Sequence, residues 1–224
     1  MPLEVLITGA ARGIGLGLAQ GYAATGARVT ATHRPGGTPP AAIAGVAWAP
    51  LDVDDPAGQR ALAEGARGRP LDLLVCNAAV YPARADRLDD GFAAGDWAAA
   101  FAVNVTGVFL TVQAHLPRLR AARGRVAILS SAMGSQARAP GGAYIYRATK
   151  AAVLNLGRNL ATDLRADGVA VGIYHPGWVQ TEMGGPGAQI DVATSVAGLM
   201  ARFAALDLAD TGCFRNHDGA PIPF

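Results

Sequence analysis

Thr8-Gly9-Ala10-Ala11-Arg12-Gly13-Ile14-Gly15 lies between an apolar run at residues 3–8 and a helix-forming stretch at residues 14–24. The run reads as a strand. The stretch reads as a helix with Gly26 placed to cap its C-terminus. Glycines let the backbone come close to a pyrophosphate, and a helix N-terminus offers free N–H groups and the positive end of a dipole. Together they follow the dinucleotide-binding logic of a doubly wound fold. Glycine spacing alone would serve a tight structural turn equally well. The position between an N-terminal strand and the first helix favours the nucleotide reading.

Outward from this loop, short apolar strands alternate with helical stretches. This pattern predicts an α/β fold: one doubly wound, Rossmann-type domain over residues 1–224, its parallel sheet flanked by helices on both faces. Strands are expected at residues 28–32, 71–76, 125–129, 169–174 and 213–216. Helices are expected from Asp55-Pro56, an N-cap followed by proline at the first helical position, to about residue 65. Others are expected at residues 96 to about 116, ending before Pro117, at 146–166, and at 191–205 with Asp191 as N-cap. Residues 33–50, rich in Gly, Pro and Ala, read as mostly loop.

About half of the 224 residues are hydrophobic, 51%, which argues against disorder. No apolar run reaches the roughly 20 residues that span a bilayer, and no basic segment precedes the first apolar run. The expected location is the cytoplasm, with no membrane partner. The net charge of +2 and the scattered arginines point away from nucleic acid. Cys76 and Cys213 read as free thiols, and the four histidines, His33, His115, His175 and His217, lack ligand spacing, so no metal is expected. Of the 19 Lys and Arg residues, only Lys150 is lysine. A compact ammonium with an adjustable pKa is the property that arginine does not offer.

The spacing Gly-x-x-x-Gly-x-Gly resembles that of the short-chain dehydrogenase/reductase family, and further segments resemble that family in its order. They are Leu51-Asp52-Val53, Cys76-Asn77-Ala78-Ala79, Asn104 in Val-Asn-Val-Thr-Gly, Ser130-Ser131, Tyr146-x-x-x-Lys150, and Pro176-Gly177 with Thr181. The second departs from Asn-Asn-Ala-Gly at Cys76 and Ala79. Three stretches, residues 131–135, 141–147 and 175–186, and the ending Asn216-His217-Asp218-Gly219 resemble the branch of C-factor and the sniffer-like carbonyl reductases.

The resemblance implies a catalytic set of Asn104, Ser131, Tyr146 and Lys150. It implies a cofactor site of Gly9, Arg12, Gly13, Ile14, Gly15, Arg34, Asp52, Val53, Asn77, Ala78, Tyr146, Lys150, Pro176, Gly177, Val179 and Thr181. The residues themselves give this a chemical reason. Tyrosine has a pKa near ~10, and an ammonium nearby favours the phenolate. Four residues apart on a helix, Tyr146 and Lys150 share a face. Tyr144, six residues from Lys150, is the weaker candidate. Ser131 would place a carbonyl oxygen, with Ser130 structural. Asn104 would hold a water linking Lys150 to solvent, or serve as a structural amide. Asp54-Asp55 and Asp89-Asp90 read as turn and cap residues.

The second strand runs into Thr32-His33-Arg34 without a carboxylate to hold a ribose hydroxyl. Arg12 and Arg34 would flank a 2′-phosphate instead, so NADP(H) is favoured over NAD(H). Met133, Tyr144, Trp178 and Met183 are candidate substrate contacts, beneath a short lid from Glu182 to about residue 190. They suit hydrophobic or aromatic aldehydes and ketones. The alternative is a dinucleotide-binding signalling or sensor protein like C-factor with little catalytic role. A homo-oligomer is expected from the resemblance.

Overall fold

The computed structural model describes residues 2–37, 41–82 and 86–224. Among them, seven parallel strands form one sheet. They are β1 (Glu4–Ile7), β2 (Arg28–His33), β3 (Val46–Pro50), β4 (Leu73–Cys76), β5 (Arg125–Leu129), β6 (Ala170–His175) and β7 (Phe214–Asn216). Their order is β3-β2-β1-β4-β5-β6-β7. The winding reverses between β1 and β4, and a crevice opens there beyond the carboxyl ends of the strands.

Alternation along the strands builds two cores. Val5, Ile7, Leu73, Val75, Ala127 and Leu129 face Leu18, Tyr22, Leu199 and Phe203 of α1 (Gly13–Ala24) and α6 (Val192–Ala205). Leu6, Leu74, Cys76, Val126 and Ile128 face the other side. There they meet Val112 and Leu119 of α4 (Gly107–Ala122) and Val153 and Leu164 of α5 (Tyr144–Leu164), with Leu62 of α2 (Pro56–Gly65) at the edge. A sheet buried on both faces needs apolar residues at consecutive positions, which explains the short unbroken apolar runs. Asp55 caps α2 by accepting from Ala57 N and Gly58 N, and Asp191 caps α6 by accepting from Thr194 N. Both are the caps expected from sequence.

Three expectations are corrected. Val46–Pro50 is a strand, paired in register from Val29↔Val46 to His33↔Pro50. It lies at the sheet's edge, where Pro50 is tolerated because one side of the strand needs no ladder bond. Residues 38–40 of the expected loop lie outside the described residues. The expected helix from 96 to 116 is two helices, α3 (Ala94–Phe101) and α4, joined by a π turn at Ala102–Thr106, and Pro117 sits inside α4. Buried Leu119 anchors the last turn beyond the proline, so packing overrides the local preference. The run Ala94–Ala122 is long and apolar enough to cross a membrane by length and composition. In this fold its apolar face, with Val108, Val112 and Leu119, is buried against the sheet. Finally, α5 begins at Tyr144 instead of Tyr146.

Candidate active site

The glycine loop is fixed from below by polar side chains on three strand ends. Thr8 Oγ1 accepts from Asn77 N at 3.1 Å and Ala78 N at 3.2 Å. Gly9 N donates to Thr32 Oγ1 at 3.1 Å. The Asn77 amide returns two bonds, to the carbonyls of Thr8 and Gly9, both at 2.9 Å. Gly9 has φ +64°, and a Cβ there would stand 2.7 Å from Ala78 Cα. A Cβ on Gly15 would stand 2.6 Å from Asn77 Nδ2. Both glycines are thus demanded by geometry, one by backbone conformation and both by close approach.

Above this loop lies a cleft of about 1000 Å³, extending along the strand ends from Arg34 to Tyr146. Most of the expected cofactor residues line it: Gly9, Arg12, Gly13, Ile14, Gly15, Arg34, Asp52, Val53, Asn77, Ala78, Tyr146, Pro176 and Thr181. Lys150, Gly177 and Val179 are not part of this lining. Lys150 is buried, and Val179 bridges to Ile190, which closes the base of the lid. Gln180 N donates to Ile190 O at 2.8 Å and Gln189 N to Trp178 O at 2.9 Å, so residues 178–190 fold back as a compact loop.

Tyr146 is buried in the first turns of α5 yet reaches the cleft wall. Lys150 Nζ lies 5.5 Å from the centroid of its ring and donates to Leu129 O at 2.8 Å. Burial pushes the Lys150 ammonium down to about 8, because desolvation disfavours its charged form. Ser131 Oγ accepts from Met133 N at 3.1 Å, and the residue is buried, outside the cleft lining. Ser130 Oγ instead donates to Lys150 O at 2.9 Å and ties β5 to α5. Asn104 is buried within the π turn. Its Oδ1 accepts from Val80 N at 2.8 Å, and its Nδ2 donates to Val80 O at 2.9 Å and to Thr149 Oγ1 at 3.0 Å. The side chain is a clamp with its donors fully used.

The expected substrate residues divide. Met183 lines the cleft, whereas Met133, Tyr144 and Trp178 do not. Trp178 Nε1 donates to Gly184 O at 2.8 Å within the lid, and the ring is 49% exposed. Tyr144 packs edge-on against Phe92, with centroids 5.2 Å apart. Tyr81, which the sequence reading passed over, lines the cleft and stacks on Tyr146 with centroids 4.2 Å apart and planes at 19°. His33, Val80 and Gln180 also line the cleft without having been singled out for it. An aromatic one residue beyond Val80 carries no periodic signal, which is why Tyr81 was not visible in advance.

The mouth of the cleft is charged. Arg34 stands at the end of β2 beside Asp52. Partial burial, then the neighbouring Asp54, raise the Asp52 carboxyl, and Arg34 counters them. Arg12, at the start of α1, forms an ion pair with Glu182 of the lid. The donor set fits a dinucleotide. Gly9 and Gly15 leave no room for a side chain, the start of α1 meets the cleft, and Arg12 within the loop and Arg34 after β2 both line it.

Residues 4–190 match the model of the short chain dehydrogenase family. The chain is 39% identical to C-signal of Myxococcus xanthus over 167 residues, 74% of this chain and 99% of that protein. It is 31% identical to a carbonyl reductase from Pseudomonas aeruginosa, with TM-score 0.86 over 99% of this chain and 100% of the other. It is 30% identical to an NADPH-bound carbonyl reductase from chicken fatty liver, with TM-score 0.88 over the whole of both chains. The doubly wound sheet, the glycine loop at its switch point and the Tyr146–Lys150 helix are therefore those of a member of the short-chain dehydrogenase/reductase family of oxidoreductases.

Proposed function

We propose that the chain reduces aldehydes and ketones to alcohols with NADPH, with a preference for hydrophobic or aromatic carbonyls. The observation that carries this reading is Tyr146 at the cleft wall with the Lys150 ammonium 5.5 Å from its ring. The nicotinamide, when bound, supplies the hydride. The Tyr146 hydroxyl delivers the proton that a carbonyl oxygen needs as negative charge develops on it. Lys150 stabilises the tyrosinate left behind, and its remaining donors serve the nicotinamide ribose. Ser131 donates to the carbonyl oxygen and fixes its position. Asn104 positions the loop across the cleft through Val80.

Arg34, with Arg12, supports a preference for NADPH. Guanidinium groups suit a 2′-phosphate, and Thr32, His33 and Arg34 supply no carboxylate for a ribose 2′-hydroxyl. Apolar and aromatic side chains of the cleft, namely Val80, Met183 and Tyr81, the last stacked on Tyr146, support the hydrophobic substrate class. The test is NADPH oxidation across a panel of aryl and alkyl aldehydes and ketones. Turnover of aryl carbonyls is expected. A single strongly preferred charged substrate, with aryl ketones inert, would overturn the substrate class.

The similarity to C-signal favours a second reading, a dinucleotide-binding signalling protein. It requires binding of NADPH without turnover of any carbonyl in the panel, so the same experiment separates the two.

A further inference from the structure

Between the cofactor loop and the catalytic helix, two aromatic rings lie face to face. Tyr81 and Tyr146 have centroids 4.2 Å apart and planes inclined by 19°. Both line the cleft. Tyr81 belongs to no helix or strand, so its ring would be poorly placed if its backbone were unrestrained. The restraint comes from one residue earlier. Asn104 holds both the N–H and the carbonyl of Val80, at 2.8 and 2.9 Å. The same amide donates to Thr149 Oγ1, which donates at 2.9 Å to the carbonyl of Tyr146 itself. One buried side chain therefore fixes the backbone on both sides of the stacked pair.

We propose that Tyr81 is a positioning residue for Tyr146, its ring fixing the plane in which the catalytic phenol stands, and that Asn104 acts on the reaction by holding this pair in register. The inference rests on Tyr146 being the proton donor. Aromatic rings that stack hold each other in place beyond what burial alone supplies. A hydroxyl that must meet a substrate oxygen at hydrogen-bond distance is sensitive to small rotations of its ring. Stacking depends on the ring and not on the Tyr81 hydroxyl, so phenylalanine should replace it.

The experiment compares Tyr81→Phe and Tyr81→Ala with the unaltered chain, using NADPH and an aryl ketone that the unaltered chain turns over. Tyr81→Ala is expected to lower kcat about tenfold, which is about 1.4 kcal/mol. Its NADPH dissociation constant, read by fluorescence titration, should change less than twofold. Its solvent deuterium isotope effect on kcat should rise, because proton delivery becomes slower relative to the other steps. Tyr81→Phe should restore kcat to within about twofold of the original, by the same stacking argument. An unchanged kcat and isotope effect in Tyr81→Ala, or a phenylalanine variant as impaired as the alanine one, overturns the proposal while leaving the reductase reading intact. Absence of turnover by the unaltered chain on every carbonyl tried overturns both.

Discussion

Lys150 donates from Nζ to the main-chain carbonyl of Leu129 at 2.8 Å, so the single lysine of the chain is tied to the end of β5. Among the described residues that ammonium has no carboxylate partner, and desolvation holds its pKa at about 8. The protonated form is the one that can donate to a ribose. NADPH affinity is therefore expected to weaken as pH rises past about 8, and Lys150→Ala should bind NADPH weakly with no such pH step. Titration of NADPH fluorescence between pH 6.5 and 9.5 checks this, and a flat profile for the unaltered chain would refute it. The folded pKa lies below the unfolded value of 10.5, so the unfolded chain holds more protons between 8 and 10.5. This group's contribution to stability rises with pH across that window.

Tyr146→Phe should cut kcat by at least about a hundredfold, the usual scale of a lost general acid, with NADPH binding nearly intact. Tyr144→Phe should be mild, since that ring packs against Phe92 outside the cleft lining. Steady-state kinetics of the two variants decide between them. A mild Tyr146→Phe with an inactive Tyr144→Phe would reverse the assignment.

Arg34→Ala should raise the KM for NADPH by roughly tenfold or more while leaving that for NADH near its original value. Hydrogen bonds to charged groups are worth about 1.5–3 kcal/mol, and only the 2′-phosphate would be lost as a partner. Parallel assays with the two cofactors measure the split. An equal change in both, or none, would remove the basis for NADPH preference.

His115 is fully buried on α4, and burial followed by the charge of Arg118 pushes it down to about 4. Arg118 Nη1 lies 3.2 Å from its Nδ1. Arginine can only donate, so this pairing requires the neutral ring to carry its proton on Nε2. The unfolded ring protonates near 6.5. Stability from this group is complete above that value and falls as pH drops towards 4, by up to about 3 kcal/mol at 1.36 kcal/mol per unit. Thermal melts at pH 7.5 and 5.0 should show the chain losing stability in acid, and His115→Gln should show a smaller loss. An identical slope in the variant would refute the assignment.

The first strand, the glycine loop and α1 were legible because three periodicities, strand, turn and helix, meet within residues 3–24. Tyr146 and Lys150 were legible because a helix makes a spacing of four a statement about space. β3 was not, because an edge strand of Val46, Ala47, Trp48, Ala49 and Pro50 has weak apolar alternation and a proline. Tyr144, in the first turn of α5, and Trp178, in the loop after β6, lie outside the cleft lining, because a side chain at the entry to a helix or in a loop takes its direction from the path of the backbone, which no spacing encodes. Tyr81 was missed for the same reason, and the Arg12–Glu182 pair because its partners lie 170 residues apart.

The π turn at Ala102–Thr106 holds one residue more than an α-helical turn would. One residue in an α-helix corresponds to about 100° of rotation. The bulge absorbs that extra residue locally, so Val108, Val112 and Leu119 of α4 keep their face on the sheet. Deleting one residue from this segment would therefore leave an unbroken helix with those side chains still facing inward. What would be lost is the widened turn that aims Asn104 at Val80 and Thr149. A one-residue deletion here should thus spare the fold and cost turnover, the reverse of what a substitution in the core would do.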